Sequence, residues 1–538
     1  MTIDDPARPE TPEAPPSERT QATQAATATQ ATQAATATQA TPAATAIQAT
    51  PAATAIQAAP APAATTEAPA TSVSPATPST PSTPSTPQKA GTWSALRPLV
   101  LRLHFYAGVL VAPFLLVAAA SGLLYALSFQ AEKVVYAHEL EVPVGETTLP
   151  LSQQVNIARK VNPNGTVTAV WPGAEPGATT RVLMADPDVP EGTSLAVFVD
   201  PYTGDVRGQL PSYGSSGALP LRTWIDGLHR DLHLGETGRN YSELAASWLW
   251  VIALGGLLLW LGRRRKNRRA LFVPEGGPAS RRRTLSWHGS VGLWAVTGLV
   301  LLSATGLTWS RYAGENIGVV QDGLGGATPT LTATVGGAAG GSSEHEGHGG
   351  GHTGGTTAQG PDIGLDKALE SARAAGIDSP KISVILPSEG KGYVVKETDA
   401  QFPLQLDSVA VNPADGAVID RLHFADYPLL AKLTRIGIDA HTGVFLGLFN
   451  QLALAALALA LILLILWGYR MWWLRRPGRP AARGAWRKVP VTMLLPLLAV
   501  TAVVGWFVPL LGISLLLFLT VDLALGLVSR ARSRARAS

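Results

Sequence analysis

Four histidines stand at the edges of apolar segments that are long enough to cross a membrane. His104 and His288 begin two such segments, whereas His229 and His441 stand just ahead of two others. Neutral imidazole is a good axial ligand for haem iron. The 538-residue chain has no cysteine, which excludes cysteine-held iron–sulfur clusters and covalent c-type haem attachment. Two histidine pairs on opposite faces of a membrane therefore predict two haem b groups, stacked as an electron path.

The histidines belong to an internal repeat, whose unit is a span, an outer domain and a second span. His104 and His288 are each followed by a glycine four residues later and then by a Ser/Thr-Gly-Leu triplet, at equal offsets. The sequence "HRDLHLG" from His229 likewise aligns with "HTGVFLG" from His441. A glycine one turn beyond the histidine lets a flat macrocycle approach the backbone closely. The gapless match favours a shared ligand role over the alternative, four separate polar anchors at the interface.

His233 occurs in the first half only, because Phe445 stands at the aligned position. It lies four residues after His229, and we interpret it as a residue that positions a ligand, as an alternative ligand or as a substrate contact. Arg222 and Arg230 flank this site. Guanidinium suits carboxylates, so they are candidates to pair with haem propionates or an anionic substrate, the alternative being ordinary surface charge.

A second group of histidines lies in the glycine-rich stretch "SSEHEGHGGGHTGG". His345, His348 and His352 are spaced so that a flexible segment gathers copper, zinc or nickel. The alternative is a solvated linker with incidental histidines. These residues are therefore a weaker candidate metal site than the paired histidines of the spans.

The predicted fold class is an α-helical membrane protein with about six transmembrane helices, internally duplicated, and with two extracytoplasmic α+β domains. Residues 1–94 are rich in Ala, Thr, Gln and Pro and are predicted to be a disordered tail. Basic clusters beside the spans place both termini in the cytoplasm of a plasma-membrane protein by the positive-inside rule, and they report orientation rather than nucleic-acid binding. The predicted spans are 95–130, 243–262, 288–310, 442–474 and a two-helix hairpin over 489–528. The predicted cytoplasmic segments are 263–287, 475–488 and 529–538.

The two outer segments, 131–242 and 311–441, are predicted to be small α+β domains, the second with a His/Gly-rich insert at 340–356. Each carries an alternating strand and a tight turn, "DPYTG" in the first and "NPADG" in the second. Proline presets φ at the first corner of the turn and glycine takes the positive-φ position, so a hairpin is expected in each. A helical stretch precedes each strand pair.

The motifs together resemble the PepSY-associated transmembrane proteins. The sequences "LRLHFYAG", "GLHRDLHLGETGR", "WHGSVGLW" and "DAHTGVFLG" carry the resemblance, which covers about residues 95–476. Members of this family include haem b-containing inner-membrane reductases of ferric siderophores and iron-regulated uptake proteins. The resemblance implies two PepSY-like outer domains and makes His104, His229, His288 and His441 the expected haem ligands.

The expected function is transmembrane electron transfer by an oxidoreductase of the ferric or metal reductase type, which reduces an extracytoplasmic ferric chelate for iron acquisition. A quinone or a separate flavoprotein is the expected donor, because no G-x-G-x-x-G nucleotide motif with its acidic partner is present. One rival is a non-enzymatic sensor or regulator that acts through its outer domains. The other is a haem or metal transporter, which would be expected to place polar groups deep in the spans.

Overall fold

The computed structural model describes residues 92–190, 192–263, 268–278, 280–335, 361–474 and 489–535. The predicted tail up to residue 91, the loop 475–488 and the insert 340–356 with His345, His348 and His352 lie outside these residues. The helices in the described part are α1 Thr92–Leu110, α2 Ala112–Val135, α3 Ala137–Leu140, α4 Leu151–Val161, α5 Pro220–Arg230, α6 Gly235–Leu261, α7 Arg269–Phe272, α8 Arg281–Thr308, α9 Tyr312–Gly323, α10 Leu365–Ala374, α11 Leu429–Thr442, α12 Leu448–Trp473, α13 Val491–Phe507 and α14 Pro509–Ala535. The strands are β1 Thr166–Trp171, β2 Thr180–Ala185, β3 Thr193–Val199, β4 Val206–Tyr213, β5 Ile382–Ile385, β6 Tyr393–Glu397, β7 Ser408–Val411 and β8 Val418–Leu422.

Helices α1 and α2 form one long helix that is interrupted at Val111. Pro113 supplies no N–H to the helical ladder, which accounts for the interruption. Hydrogen bonds from Val111 N to Ala107 O, at 2.8 Å, and from Leu115 N to Val111 O, at 3.1 Å, carry the ladder across it. The aligned helix of the second repeat, α8, has no proline and runs unbroken for 28 residues.

The long helices of the two repeats pack into one bundle. Helix α6 packs against α1 and α8, and α12 packs against α2 and α8. Small buried residues line these contacts and let the helix backbones approach closely, which is the usual basis of packing in a bilayer. They include Ala107, Ala112, Ala245 and Ala295. The repeats therefore form one intertwined structure in the membrane.

Among the described residues, five helices are long and apolar enough to cross a membrane: α2, α6, α8, α12 and the Pro509–Arg532 part of α14. Helix α13 is apolar but has only 17 residues, a length of about 25 Å. The chain is thus a multi-pass membrane protein, and the count of six spans stays a prediction that depends on α13. The predicted division of 489–528 into two helices is observed, since α13 ends at Phe507 and α14 begins at Pro509.

The α13–α14 hairpin docks onto helices of both repeats through polar contacts. Asp522 forms an ion pair with Arg102, whose side chain is buried in the bundle. Trp248 Nε1 donates to Ser514 Oγ at 2.9 Å, and Asn316 Nδ2 donates to the carbonyl of Phe507 at 2.9 Å. These contacts satisfy polar groups that would be costly in lipid.

The two outer segments share one continuous eight-stranded antiparallel sheet, in the order β4-β3-β2-β1-β5-β6-β7-β8. Each segment contributes a four-stranded meander, and the meanders join where β1 pairs with β5, with Ala169 opposite Ile385. Helices α4 and α10, found where a helical stretch was expected, pack beside each other on one face. Their apolar residues and the buried valines of both meanders form a single core. Two α+β segments were expected, and the structure fuses them.

The predicted turns close hairpins at equivalent places. Gly204 and Gly416 adopt φ values of +82° and +77°, which favour glycine. Gly204 N donates to Asp200 O, and Gly416 N donates to Asn412 O, both at 2.9 Å. The bundle thus has two ends: the sheet end, where the strands lie, and the basic end, where the arginines that follow α6 and precede α8 lie.

Candidate functional site

His104 on α1 and His288 on α8 face each other near the basic end of the bundle. Their ring centres are 6.3 Å apart and their planes meet at 74°. Two imidazole nitrogens that bind one metal ion from opposite sides lie about 4 Å apart, because each metal–nitrogen bond is about 2.0–2.1 Å. Adding the distance from each nitrogen to the centre of its own ring gives about the observed 6.3 Å between the ring centres. The pair is therefore spaced to hold one metal ion between two imidazoles.

Backbone carbonyls fix the tautomer of both rings. His104 Nδ1 lies 3.0 Å from the carbonyl of Ile252, and His288 Nδ1 lies 3.0 Å from the carbonyl of Leu464. A carbonyl only accepts hydrogen bonds, so each Nδ1 carries the proton and each Nε2 keeps its lone pair. The two acceptors occupy equivalent positions in α6 and α12. This is the arrangement that orients metal-binding histidines and raises their basicity.

Glycines give the rings room on the neighbouring helices. A Cβ on Gly256 would lie 2.9 Å from His104 Cε1, whereas a Cβ on the equivalent Gly468 would lie 3.9 Å from His288 Cε1. Gly108, one turn after His104, has no atom within 4 Å of the position of a Cβ. Open space beside an imidazole suits a flat ligand that approaches the backbone.

The second pair of histidines is held by hydroxyl groups nearer the sheet end. His229 Nδ1 lies 2.9 Å from Ser121 Oγ, and His441 Nδ1 lies 2.6 Å from Thr305 Oγ1. Each hydroxyl donates its own proton to a backbone carbonyl of its helix, so it accepts from the imidazole. Nδ1 is again the protonated nitrogen. The Ser/Thr-Gly-Leu triplets of the repeat are thus the anchors of this pair.

Burial keeps His229 neutral. Desolvation lowers the pKa of His229, and the charge of Asp226 and a backbone hydrogen bond at Ala118 oppose that shift to a smaller extent. The neutral imidazole is the form that binds metal. Gly122 lies against this ring, since a Cβ there would be 3.1 Å from His229 Cε1. A Cβ on the equivalent Gly306 would be 3.5 Å from His441 Cε1.

The two histidine layers are well separated along the bundle. Thr305 follows His288 by 17 residues in the unbroken helix α8, which corresponds to about 25 Å. The layers therefore lie near opposite ends of the membrane-spanning part. Two imidazoles supply only two ligands, and the described residues form no cluster of three or more metal-binding side chains. The His104–His288 pair, with ring centres 6.3 Å apart, suits a metal that brings its own further ligands, as porphyrin iron does.

The flanking arginines are already engaged within the protein. Arg222 is buried and makes a bidentate ion pair with Glu132, with N–O distances of 3.1 and 3.2 Å. Arg230 contacts Asp226 and Asp231, both at 3.4 Å, and donates to Tyr213 Oη at 2.7 Å. Glu132 had no signal in the sequence that marked it as the partner of Arg222. Both guanidinium groups serve to fix α5 against its surroundings.

His233 lies in a pocket on the outer side of α5, on the face roughly opposite to His229. Its ring packs on Trp224 with centres 5.2 Å apart, and Trp224 is 56% exposed. The pocket has a volume of about 380 Å³. His233 and Leu232 adopt positive φ values of 54° and 56°, which cost non-glycine residues about 1–3 kcal/mol each and cluster at functional sites. The pocket is lined by Pro190, Thr193, Pro211, Pro220, Thr223, Trp224, Gly227, Arg230, Asp231 and His233.

Comparison with known proteins adds one match. The family model of the PepSY-associated TM region matches residues 101–475, which include both histidine layers and both meanders of the sheet. A search of curated proteins found no significant match.

Proposed function

Because the chain belongs to the family of the PepSY-associated TM region, we propose that it is a haem b-containing membrane protein that carries electrons across the bilayer. The acceptor we propose is a ferric chelate of the siderophore class, reduced at the sheet end in the service of iron acquisition. The observation that carries this proposal is the facing pair His104 and His288, with ring centres 6.3 Å apart and both Nδ1 atoms bound to equivalent carbonyls.

Four imidazoles would hold two haem groups. His104 and His288 would ligate one at the basic end, and His229 and His441 would ligate the other at the sheet end. When bound, haem supplies one-electron redox chemistry that these side chains lack. Hydrogen bonds to each Nδ1 hold the rings in the ligating orientation and increase the electron density on Nε2, which favours the ferric state.

The surroundings of the two layers support transfer across the membrane. The bundle places about 25 Å of apolar helix between the layers, which excludes water and ions from the path between them. Arginines at the basic end favour a cytoplasmic location for that end by the positive-inside rule, and the sheet end is then extracytoplasmic. A quinone or a flavoprotein at the cytoplasmic face is the proposed donor.

The pocket around His233 is the proposed exit for electrons. The pocket lies against α5, and the opposite face of α5 carries His229. Only one helix therefore separates the histidine layer at the sheet end from the surface. Exposed Trp224 and the ring of His233 offer a surface on which a chelate could pack.

A visible spectrum of the purified full-length protein tests the proposal. The protein is prepared from cells supplied with a porphyrin precursor, and the dithionite-reduced spectrum is compared with the oxidised one. The expected result is a b-type α band with about two haems per chain, and reoxidation of the reduced protein by ferric chelates. A colourless protein would contradict the proposal and favour the sensor or transporter reading.

A further inference from the structure

A pocket of about 600 Å³ opens at the basic end of the bundle. Three arginines and two leucines line it, which combines positive charge with an apolar surface. The lining residues are Arg97, Leu101, Arg263, Arg281 and Leu285. Such a lining suits a ligand that has anionic groups on an apolar body.

The lining residues follow the internal repeat. Arg97, Leu101 and His104 share one face of α1, because they are four and three residues apart. The same spacing on α8 places Arg281, Leu285 and His288 on one face. The lining residues therefore lie on the helix faces that carry the facing histidines, and both repeats contribute equivalent residues to the pocket.

The arginines of this pocket are available to a ligand. Among the described residues, no carboxylate forms an ion pair with Arg97, Arg263 or Arg281. Arg263 stacks over the ring of Trp260 at 5.9 Å, which leaves its charge uncompensated. Neighbouring arginines on α8 differ, since Arg282 pairs with Glu275 at 2.9 Å and Arg283 donates to the carbonyl of Gly277 at 2.9 Å.

We propose that Arg97 and Arg281 bind the two propionate groups of the haem that His104 and His288 hold, with Arg263 as an additional cation. This assignment rests on the proposed function. Seven residues separate each arginine from its histidine, a distance of about 10 Å along the helix. A propionate arm together with an arginine side chain spans such a distance.

The symmetry of the site matches the symmetry of the ligand. The relation between the repeats exchanges His104 with His288, and also Arg97 with Arg281. A twofold axis that lies in the plane of a porphyrin and passes between its propionates exchanges the two faces of the ring and the two carboxylates. One axis therefore accounts for two axial ligands and two propionate partners at once.

Haem dimethyl ester, which lacks both carboxylate charges, provides the test. The full chain, freed of haem, is placed in nanodiscs of zwitterionic lipid and titrated with haem b or with the ester. We expect wild type to bind haem b at least about ten-fold more tightly than the ester, because the ester cannot form charge-assisted hydrogen bonds with the arginines. At the basic-end site, the Arg97→Gln/Arg281→Gln variant should bind both compounds with the affinity that wild type shows there for the ester.

The control variant is Arg282→Gln/Arg283→Gln, which removes the same charge from the same end and should keep the preference for haem b. Binding of the ester by the Arg97→Gln/Arg281→Gln variant shows that it is folded. A wild type that binds both compounds alike would overturn this assignment and leave the proposed function intact. A wild type that binds neither would overturn the proposed function. Loss of the preference on adding phosphatidylglycerol would assign the arginines to lipid headgroups and overturn the assignment.

Discussion

The two histidine layers differ in how closely the repeats agree around them. At the basic end, the two copies match residue by residue: arginine, leucine, histidine and glycine recur at the same spacing on α1 and α8. At the sheet end, the histidines and the Ser/Thr-Gly-Leu triplets match, but the aromatic neighbours of the histidines differ. Trp309 packs edge-on against His441 at 5.2 Å, whereas Tyr125 stands at the aligned position in the first repeat.

The outer surface differs even more. His233 is exposed beside Trp224, while the aligned Phe445 packs against Phe402 with ring centres 5.9 Å apart. A symmetric environment suits a symmetric ligand with an axial bond on each face. An asymmetric surface suits a substrate that docks on one side only. On the proposed function, the interior would serve the cofactor, and the surface around α5 would serve the acceptor.

The largest effect is expected from removal of a histidine. His104→Ala should lose the haem at the basic end and keep the other, because about 25 Å of helix separates the layers. His229→Ala should do the reverse. Each variant should retain about half of the wild-type haem, measured as haem per chain. Full haem content in His104→Ala would contradict the proposed pairing of His104 with His288.

An alanine substitution at the glycine beside each histidine ring should affect the two repeats differently. Gly256→Ala places a Cβ 2.9 Å from His104, so the ring must shift, at a cost of about 1–3 kcal/mol. Haem affinity at that layer should fall about ten-fold. Gly468→Ala is the matched control, since its Cβ meets His288 at an ordinary 3.9 Å. Equal haem titration curves for the two variants would argue against the observed packing of His104.

A smaller effect is expected from the hydroxyl anchors. Thr305→Val removes the acceptor for His441 Nδ1, which weakens the basicity of the ring, and loss of such a partner costs about 10-fold or more in metal affinity. The midpoint potential of the haem at the sheet end should rise, as measured by a redox titration. Thr308→Val serves as control, because among the described residues that hydroxyl bonds to the carbonyl of Thr305 and not to a histidine. A potential that moves equally in both variants would not support the anchor role.

The smallest effect on the cofactor is expected from His233→Phe, which copies the second repeat into the first. The spectrum and the haem content should stay unchanged, because His233 lies beyond the end of α5 and packs on Trp224, away from His229. Reoxidation of the reduced protein by a ferric chelate should slow several-fold. Stopped-flow absorbance measures this rate. An unchanged rate would show that electrons do not leave the protein through this pocket.

The sequence predicted the features that local patterns encode. The histidine repeat, the hairpins at Gly204 and Gly416 and the break before Pro509 follow from spacing and from the conformations of glycine and proline. The alignment of Arg97 with Arg281, at the same offset from histidine, is also present in the sequence.

Long-range pairings were not available in the same way. The joining of β1 to β5 depends on which strand edges meet, and nothing in either strand specifies its distant partner. The carbonyl groups that bind His104 and His288 belong to the backbone of Ile252 and Leu464. The side chains of Ile252 and Leu464 therefore give no signal in the sequence. The pair Arg222–Glu132 joins residues 90 positions apart, and the sequence left Arg222 open as a partner of an anionic ligand or as ordinary surface charge.

Ligation by the facing histidines is tested most directly in the His229→Ala/His441→Ala variant, which leaves only His104 and His288. Electron paramagnetic resonance of the oxidised variant reports the axial ligands of whatever iron remains. We predict about one haem per chain, with the low-spin signal of two imidazole ligands. A high-spin signal, or a preparation without haem, would contradict the account.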